Sequence, residues 1–538
     1  MELITPFSVA VGLVLLALLY VVSWRRRNTT TGGGGGGTLP PEAAGGWPFI
    51  GHLHQLRAPV PLVRTWGAFA DKYGPIFTVR LGTPRAVVVS SWEAVRDCFS
   101  TNDKIFAARP DLCAGKYMAY NCAVFTWATY GSYWRKMRKL SVVELLSSKR
   151  VDQLKHIWIS ELQANIKELY TSIANNVVDS PTAAKVDMSR WFGLLTLNMI
   201  VKIVAGRRYR YRGDDGVEDQ EALALKQIFQ ENMYLAGQIV SGDALSPSWL
   251  FRWLDIEGHI KSMKRVAKAK DAIFESWVNE HVNMKIEKRN LQSLSTGDEA
   301  QDIIDVMISV IDDKFMDGIS FTRDTIIKAT IRTMLLDGVD TIAVHLIWVL
   351  SELLNNRHVM KLAQEEIDTK VGTDRLVEDS DIENLVYLQA VVKETLRLHP
   401  PLPFLVPHEA MEDCTVGGYH IPKGTQLYVN VWRLHRDPKI WSQPEKFLPE
   451  RFLASSTEAD VAANRQFQFI PFGSGRRSCP GMLYAMRVTH LTLARLLQGF
   501  NFSTLSNAAL DMTEGLGITL PRANPLEVLV TPRLNYVL

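Results

Sequence analysis

Residues 472–481 read Phe472-Gly473-Ser474-Gly475-Arg476-Arg477-Ser478-Cys479-Pro480-Gly481. One cysteine sits in a glycine-rich turn beside two arginines. Gly475 and Gly481 permit a tight turn and close approach, and successive backbone N–H groups of such a turn can point at a thiolate. The chain has only five cysteines, at 98, 113, 122, 414 and 479, with no CxxC pair. That odd, sparse set supports neither a disulfide framework nor a four-thiolate zinc site. A lone thiolate cannot build a zinc or iron–sulfur centre. It can be the single axial ligand of a haem iron, where its electron donation favours O–O cleavage. Arg477 is then placed to pair with a haem propionate, and Phe472 to pack beside the sulfur and keep it dry. The competing reading is a buried structural cysteine next to a turn. Five residue types at fixed offsets, Phe472, Gly475, Arg477, Cys479 and Gly481, weigh against it.

The segment resembles the haem-binding loop of the cytochromes P-450, and other segments agree in the order that family requires. Glu394 and Arg397, in Lys393-Glu-Thr-Leu-Arg-Leu398, stand three apart on one helix face and can form a buried ion pair. Glu93 and Arg96 share that spacing and read as a solvated pair. The resemblance adds a third member, Arg451 of Pro449-Glu-Arg-Phe452, bonding to Glu394–Arg397 as a structural triad that supports the haem loop. It also assigns Trp134 and Arg138 to a propionate-binding helix, and His408 to a further propionate contact. A lone histidine is otherwise read as a satisfied structural residue.

A second motif, Asp337-Gly338-Val339-Asp340-Thr341-Ile342, lies midway along a long apolar stretch. The family pattern is a small residue, Gly, any residue, an acid, Thr, then a second hydroxyl residue. Gly338, Asp340 and Thr341 fit. A glycine and a threonine hydroxyl can open a helix ladder and hold water, while an acid helps relay protons. Asp337 and Ile342 depart from the pattern. Asp337, three residues before Asp340, is expected on the same face, where an unpaired acid is costly. It either pairs with a cationic amine of the substrate, reroutes proton delivery, or simply bonds neighbouring backbone or water.

Composition frames these sites. The 538 residues are 47% hydrophobic and 22% charged, with 60 Lys+Arg against 57 Asp+Glu. This is a globular chain with a large core, not a disordered or fibrous one. Residues 1–27 carry one Glu and three Arg, leaving the remainder at +1, so no nucleic-acid surface is indicated. Leu3 to Trp24 holds no charge and is followed by Arg25-Arg26-Arg27. A helix of that length spans the roughly 30 Å hydrocarbon core, and the trailing arginines favour a transmembrane anchor, residues 1–27, over a cleaved signal, with the body in the cytosol. Residues 28–46, with Gly32–Gly37 and Pro40-Pro41, read as a linker. Those glycines match GxGxxG trivially, without the strand and helix that would make a dinucleotide site.

From 47 to 538 a single haem-thiolate catalytic domain is expected, with the polar stretches 207–220 and 290–301 as loops. Strand-like alternation is confined to 76–81, 86–90, 426–431 and 526–531. Helical periodicity dominates elsewhere, over 154–175, 259–287, 359–371, 482–498 and an unbroken 322–354. The fold class is mainly α with a small β region, a cytochrome P-450 fold with an N-terminal transmembrane helix.

The resemblance runs from Trp47 onward and is to plant microsomal P-450 enzymes of specialised metabolism, nearest to nicotine N-demethylases and related alkaloid-oxidising enzymes. It implies haem b (iron protoporphyrin IX) and the reaction RH + O2 + 2e− + 2H+ → ROH + H2O. The electrons would come from NADPH–cytochrome P-450 reductase, since no flavin or phosphate loop is evident in the chain. A single-pass endoplasmic reticulum location, a small lipophilic substrate and most readily an alkaloid follow. Ring closure or coupling, or hydroxylation of a terpenoid or phenolic, remain alternatives. Outside that class stands a non-catalytic haem ligand-binding protein, for which Asp340 and Thr341 would have no use. Substrate contacts are expected from 116–129, 334–341, 402–406 and 515–519, with Leu402, Phe404, Leu405 and Leu516 as an apolar pocket.

Overall fold

The computed structural model describes residues 37–56, 60–177, 183–209, 220–290, 302–453, 466–506 and 508–534. The expected membrane helix, Leu3 to Trp24, lies outside them, as do most of the two polar stretches. Residues 38–43 lie along the body: Ala43 N donates to Thr78 O at 2.9 Å, Thr78 N to Pro41 O at 2.8 Å and His420 N to Thr38 O at 2.9 Å. The described part of the 28–46 segment is thus tied to the body rather than free.

Helices form most of the structure. The long apolar stretch does not make one continuous α-helix. Thr322 caps Arg323–Arg332, its hydroxyl accepting from Thr325 N at 3.2 Å. A π-helical turn follows over Thr333–Asp337, and the α-helix resumes at Gly338–Asn355. Such turns insert one residue into the ladder and shift the faces on either side. The helix Met188–Ala205 is apolar on nearly every face, as a fully enclosed helix must be. It crosses the central helix at Gly338, where an added Cβ would stand 2.7 Å from Ile200 Cδ1. Glycine is needed there for close approach. Helices Val386–Leu398 and Met482–Gly499 pack on the other side. Met188–Ala205 and Arg323–Asn355 are long and apolar enough to cross a bilayer, but 67% of each apolar window is buried inside the body, so they serve as core.

The strands are β1 Ile76–Arg80, β2 Arg85–Val89, β3 Ala184–Asp187, β4 His408–Glu409, β5 Cys414–Val416, β6 Tyr419–Ile421, β7 Gln426–Val429, β8 Phe500–Ser503 and β9 Glu527–Pro532. One sheet has the order β1-β2-β7-β4, with β2 and β7 parallel and the outer pairs antiparallel; the others are β3-β9-β8 and β5-β6. In the first sheet Val87 faces Leu427 and Val89 faces Val429, all fully buried. The four stretches read as strands from the sequence all occur. The two- to four-residue strands β3, β4, β5, β6 and β8 were not foreseen, because so short a segment holds too few alternations to show a period.

Candidate haem-thiolate site

Cys479 closes its own turn. Its N–H donates to Phe472 O at 2.9 Å, and Gly473 N donates to Ile470 O at 3.0 Å. Gly475 sits at φ +68°, a left-handed conformation that disfavours other residues, and a Cβ there would collide with the Asp103 carboxylate. Asp103 holds the turn from outside, accepting from Arg476 N at 3.1 Å and Arg476 Nε at 2.6 Å. Gly481 has an ordinary φ of −89°, and a Cβ would lie 3.8 Å from the Cys479 sulfur.

The sulfur has accessible surface, yet protein encloses it on the scale that matters for desolvation, because that surface opens into an internal cavity. Burial raises the thiol pKa above its usual value; the Gly481 N–H and the Arg138 charge oppose this, and Asp337 adds to it. The uncharged form is favoured until a cation meets the sulfur.

Phe472, Trp134, Arg477, His408 and the motif residues Asp337, Gly338, Thr341 and Ile342 all line this cavity. Arg138 Nη1 donates to Ser478 O at 2.6 Å, bracing the residue before the cysteine. Arg477 donates from Nε to Ala107 O and from Nη2 to Ala128 O, both at 2.6 Å. Arg109, unforeseen in the sequence, donates to Thr126 O at 3.0 Å, Val406 O at 2.6 Å and Pro407 O at 2.7 Å. All three arginines bond only uncharged oxygens, and none pairs with a carboxylate among the described residues. Burial, then repulsion from Arg138, pushes the Arg477 pKa down to about 9; burial and then Arg477 lower that of Arg109. The Trp134 indole N–H is buried without a partner among the described residues, with the Arg477 guanidinium 4.9 Å from its ring centroid. Arg109 and Arg477, without a counter-charge, and the partnerless Trp134 donor line this largely apolar cavity, with Arg138 just behind its wall at Ser478; such a set suits a flat apolar group with anionic edges. The residues present fit a haem with its two propionates, held by Cys479 and by Arg109, Arg138, Arg477 and Trp134.

His408 fits this scheme with a condition. Its Nδ1 lies 2.7 Å from Phe106 O, a group that only accepts, so Nδ1 carries a hydrogen. Nε2 then donates only from the imidazolium. Burial, followed by the Arg109 charge, holds the pKa well below the usual value, so donation to an anion requires that anion to restore the charge.

The triad forms as expected. Glu394 and Arg397 are fully buried. Glu394 accepts from Arg397 Nε and Nη2 at 2.8 Å, from Arg451 Nε at 3.1 Å and from Leu448 N at 2.9 Å. Arg397 also reaches the carbonyls of His435 and Pro444 at 2.7 Å and of Lys446 at 3.1 Å. His435 Nε2 in turn accepts from Ile470 N at 3.0 Å. The triad is thereby connected through His435 to the residue whose carbonyl starts the cysteine turn.

Above the sulfur, the two acids of the second motif diverge. Thr341 Oγ1 donates to Asp337 O at 2.8 Å, so the hydroxyl occupies the backbone acceptor beside the π-turn. Asp337 lines the cavity, its carboxylate accepting from Arg332 Nη1 at 2.7 Å and Thr126 Oγ1 at 3.0 Å. Asp340 is absent from the cavity lining and turns to Thr519, whose hydroxyl donates to it at 2.8 Å. Burial raises its pKa despite that bond. The shared face expected for 337 and 340 is not used in common: Asp337 lines the cavity, while Asp340 turns to Thr519. Among the expected substrate residues Leu402 and Leu405 line the cavity; Phe404 instead packs edge-on against Trp66 at 4.9 Å, and Leu516 is 43% exposed on the surface. Arg109, Thr126 and Arg332 had no motif to mark them; Arg332 meets Asp337 only five residues on, but Thr126 and Asp337 are 211 apart and Arg109 and Val406 297.

Comparison with known proteins agrees with this geometry. The sequence profile described as "Cytochrome P450" matches residues 40–528. The chain is 46% identical over 535 residues to a nicotine N-demethylase of Nicotiana tomentosiformis, covering 99% of each. It is 48% identical over 497 residues to vinorine hydroxylase of Rauvolfia serpentina, covering 92% of this chain and 91% of that one. Xanthotoxin 5-hydroxylase of Arabidopsis thaliana is 45% identical over 496 residues, covering 91% and 92%. A zebra fish cytochrome P450 solved with progesterone superposes with a TM-score of 0.70 at 27% identity, covering 88% of this chain and all of that one.

Proposed function

The chain belongs to the cytochrome P450 family of haem-thiolate monooxygenases, and from that membership we propose that it hydroxylates or N-demethylates a small lipophilic plant metabolite, an alkaloid in the first instance. The similarity to a nicotine N-demethylase and to vinorine hydroxylase supports the alkaloid. The observation that carries the reading is the cavity itself, in which a single cysteine sulfur faces the Gly338–Thr341 segment across apolar walls.

The haem, when bound, supplies dioxygen activation. Cys479 provides the ligand atom, and the bracing of Ser478 by Arg138 fixes where that atom stands. Thr341 Oγ1 keeps a proton at the cavity wall, and the hydrogen is exchangeable between Asp337 O and a cavity water. Asp340 acts behind that wall through Thr519, which itself lines the cavity. Leu402, Leu405 and Ile342 exclude bulk water. Electrons would arrive from NADPH–cytochrome P-450 reductase. In support, Arg135 and Lys139 are exposed on the helix whose Arg138 touches Ser478, a basic approach to the sulfur side. An N-terminal anchor in the endoplasmic reticulum membrane would hold the two proteins together.

A second reading, hydroxylation of a phenolic, is favoured by the similarity to xanthotoxin 5-hydroxylase and to the flavonoid-6-hydroxylase of Ocimum basilicum, 45% identical over 509 residues. Incubating microsomes that contain this chain and the reductase with a panel of alkaloids, phenolics and terpenoids, and weighing products by mass, separates the two. An oxygenated or demethylated alkaloid supports the first reading. Turnover of phenolics or terpenoids alone overturns it, and NADPH-independent binding without any product overturns both.

A further inference from the structure

Asp337 is one of the two residues that depart from the family motif, and both of its carboxylate oxygens are already engaged within the protein. Arg332, whose side chain is 3% exposed, holds one oxygen at 2.7 Å. Thr126 donates to the other at 3.0 Å. The same Thr126 offers its carbonyl to Arg109 Nε at 3.0 Å, and Arg109 grips the carbonyls of Val406 and Pro407 at 2.6 and 2.7 Å. Three chain segments therefore meet in one unbroken series of hydrogen bonds: the central helix, the 119–131 loop and the 402–407 loop. Arg332, Asp337, Thr126, Arg109 and Val406 all face the cavity, so the series runs round its wall. The charges also argue against an incoming cation. Arg332 already balances Asp337, and Lys270, 1% exposed with its Nζ donating to Met118 O at 2.6 Å, is a second buried basic group near by.

We propose that Asp337 is a positioning residue that straps the 119–131 and 402–407 loops to the central helix, and thereby sets the size of ligand the cavity admits without pairing with a cationic one. The proposal rests on the cavity being the ligand site of the function proposed above. Without the Thr126 hydroxyl the loop keeps its apolar packing but loses the one side-chain hydrogen bond that joins it to the central helix among the described residues. A charge-assisted hydrogen bond of this kind corresponds to about a tenfold change in an opening equilibrium.

The test uses the haem-loaded full chain as wild type, Thr126→Val, Thr126→Ser and the double variant Arg332→Gln/Asp337→Asn. Amide hydrogen exchange is read over 119–131 and 402–407. Spectral titration is made with imidazole, with the bulky neutral azole clotrimazole, and with the cation N,N-dimethylbenzylamine against its neutral carbon analogue isobutylbenzene. Thr126→Val is expected to speed exchange in the 119–131 loop about tenfold and to raise affinity for clotrimazole relative to imidazole by a similar factor, with Thr126→Ser restoring both. Asp337→Ala alone would uncover the Arg332 charge, which itself repels a cation, so the amine test uses the charge-neutral double variant Arg332→Gln/Asp337→Asn, which is expected to shift the amine and its carbon analogue equally. Unchanged exchange and an unchanged azole ratio in Thr126→Val overturn the strap. Selective loss of the amine in Arg332→Gln/Asp337→Asn overturns it in favour of a cation-binding role. Failure of the wild-type chain to bind any of these ligands would count against the proposed function, while the exchange data would still report the strap.

Discussion

Replacing Glu394 with leucine alone, and together with Arg397→Met, separates two accounts of the buried triad. If the pair matters only as opposed charges, removing both should be nearly neutral, as it is for many buried ion pairs. The hydrogen bonds here say otherwise. Glu394→Leu alone leaves the fully buried Arg397 guanidinium without its counter-charge, at a cost of ~3–5 kcal/mol. The double variant removes that charge but strands the carbonyls of His435, Pro444 and Lys446, which only Arg397 reaches among the described residues, and the N–H of Leu448. Orphaning the buried His435 carbonyl costs ~1–3 kcal/mol, while the part-buried groups of Pro444, Lys446 and Leu448 can turn to water, so the double variant should remain ~1–3 kcal/mol less stable than wild type. Against a total stability of about 5–15 kcal/mol, either loss is large. The assay is the denaturant midpoint at which the reduced, carbon-monoxide-bound spectrum of the thiolate site disappears, since that band reports the cysteine turn that His435 supports through Ile470. A double variant with the wild-type midpoint and full haem content would refute the argument that Arg397 acts as a cross-link between loops.

Two further outcomes follow from local geometry. Gly338→Ala places a methyl 2.7 Å from Ile200 Cδ1, and overpacking of that kind costs about 1–3 kcal/mol; Ile200→Val removes the opposing atom and should restore most of the loss in a thermal midpoint, whereas additive losses would contradict the packing role. His281 bonds Asp302 at 2.7 Å; burial works against its charge, but the Asp302 bond and charge and the Trp277 carbonyl outweigh it and raise its pKa. With the folded value above the unfolded one of about 6.5, this stabilisation is full below that pH and fades as pH rises through the folded value. His281→Gln should therefore lose more stability near pH 6 than near pH 9 (both about), and equal losses at the two would contradict it.

The cysteine turn was legible in sequence because Phe472 to Gly481 places particular residue types at fixed offsets within one turn; the Glu394–Arg397 step is shared by Glu93 and Arg96, and the triad was marked by the family resemblance through Arg451. The polar strap was not. Thr126 and Asp337 are 211 residues apart, and Arg109 and Val406 297; such pairs become neighbours only through the fold, and neither carries a local signature. Asp340 shows both limits. Its residue type was readable, yet its direction was not, because its partner Thr519 lies 179 residues on. Long strands such as β2 showed themselves by runs of valine. Cys414–Val416 and Tyr419–Ile421 were too short to do so.

The central claim is that Cys479 presents its sulfur as the single protein ligand of a haem. The most direct measurement is the reduced, carbon-monoxide difference spectrum of Cys479→Ala beside that of Cys122→Ala, a control that removes a partly exposed thiol at another site. The account predicts that the thiolate-type band vanishes in the first and persists in the second. Retention of that band in Cys479→Ala would contradict it.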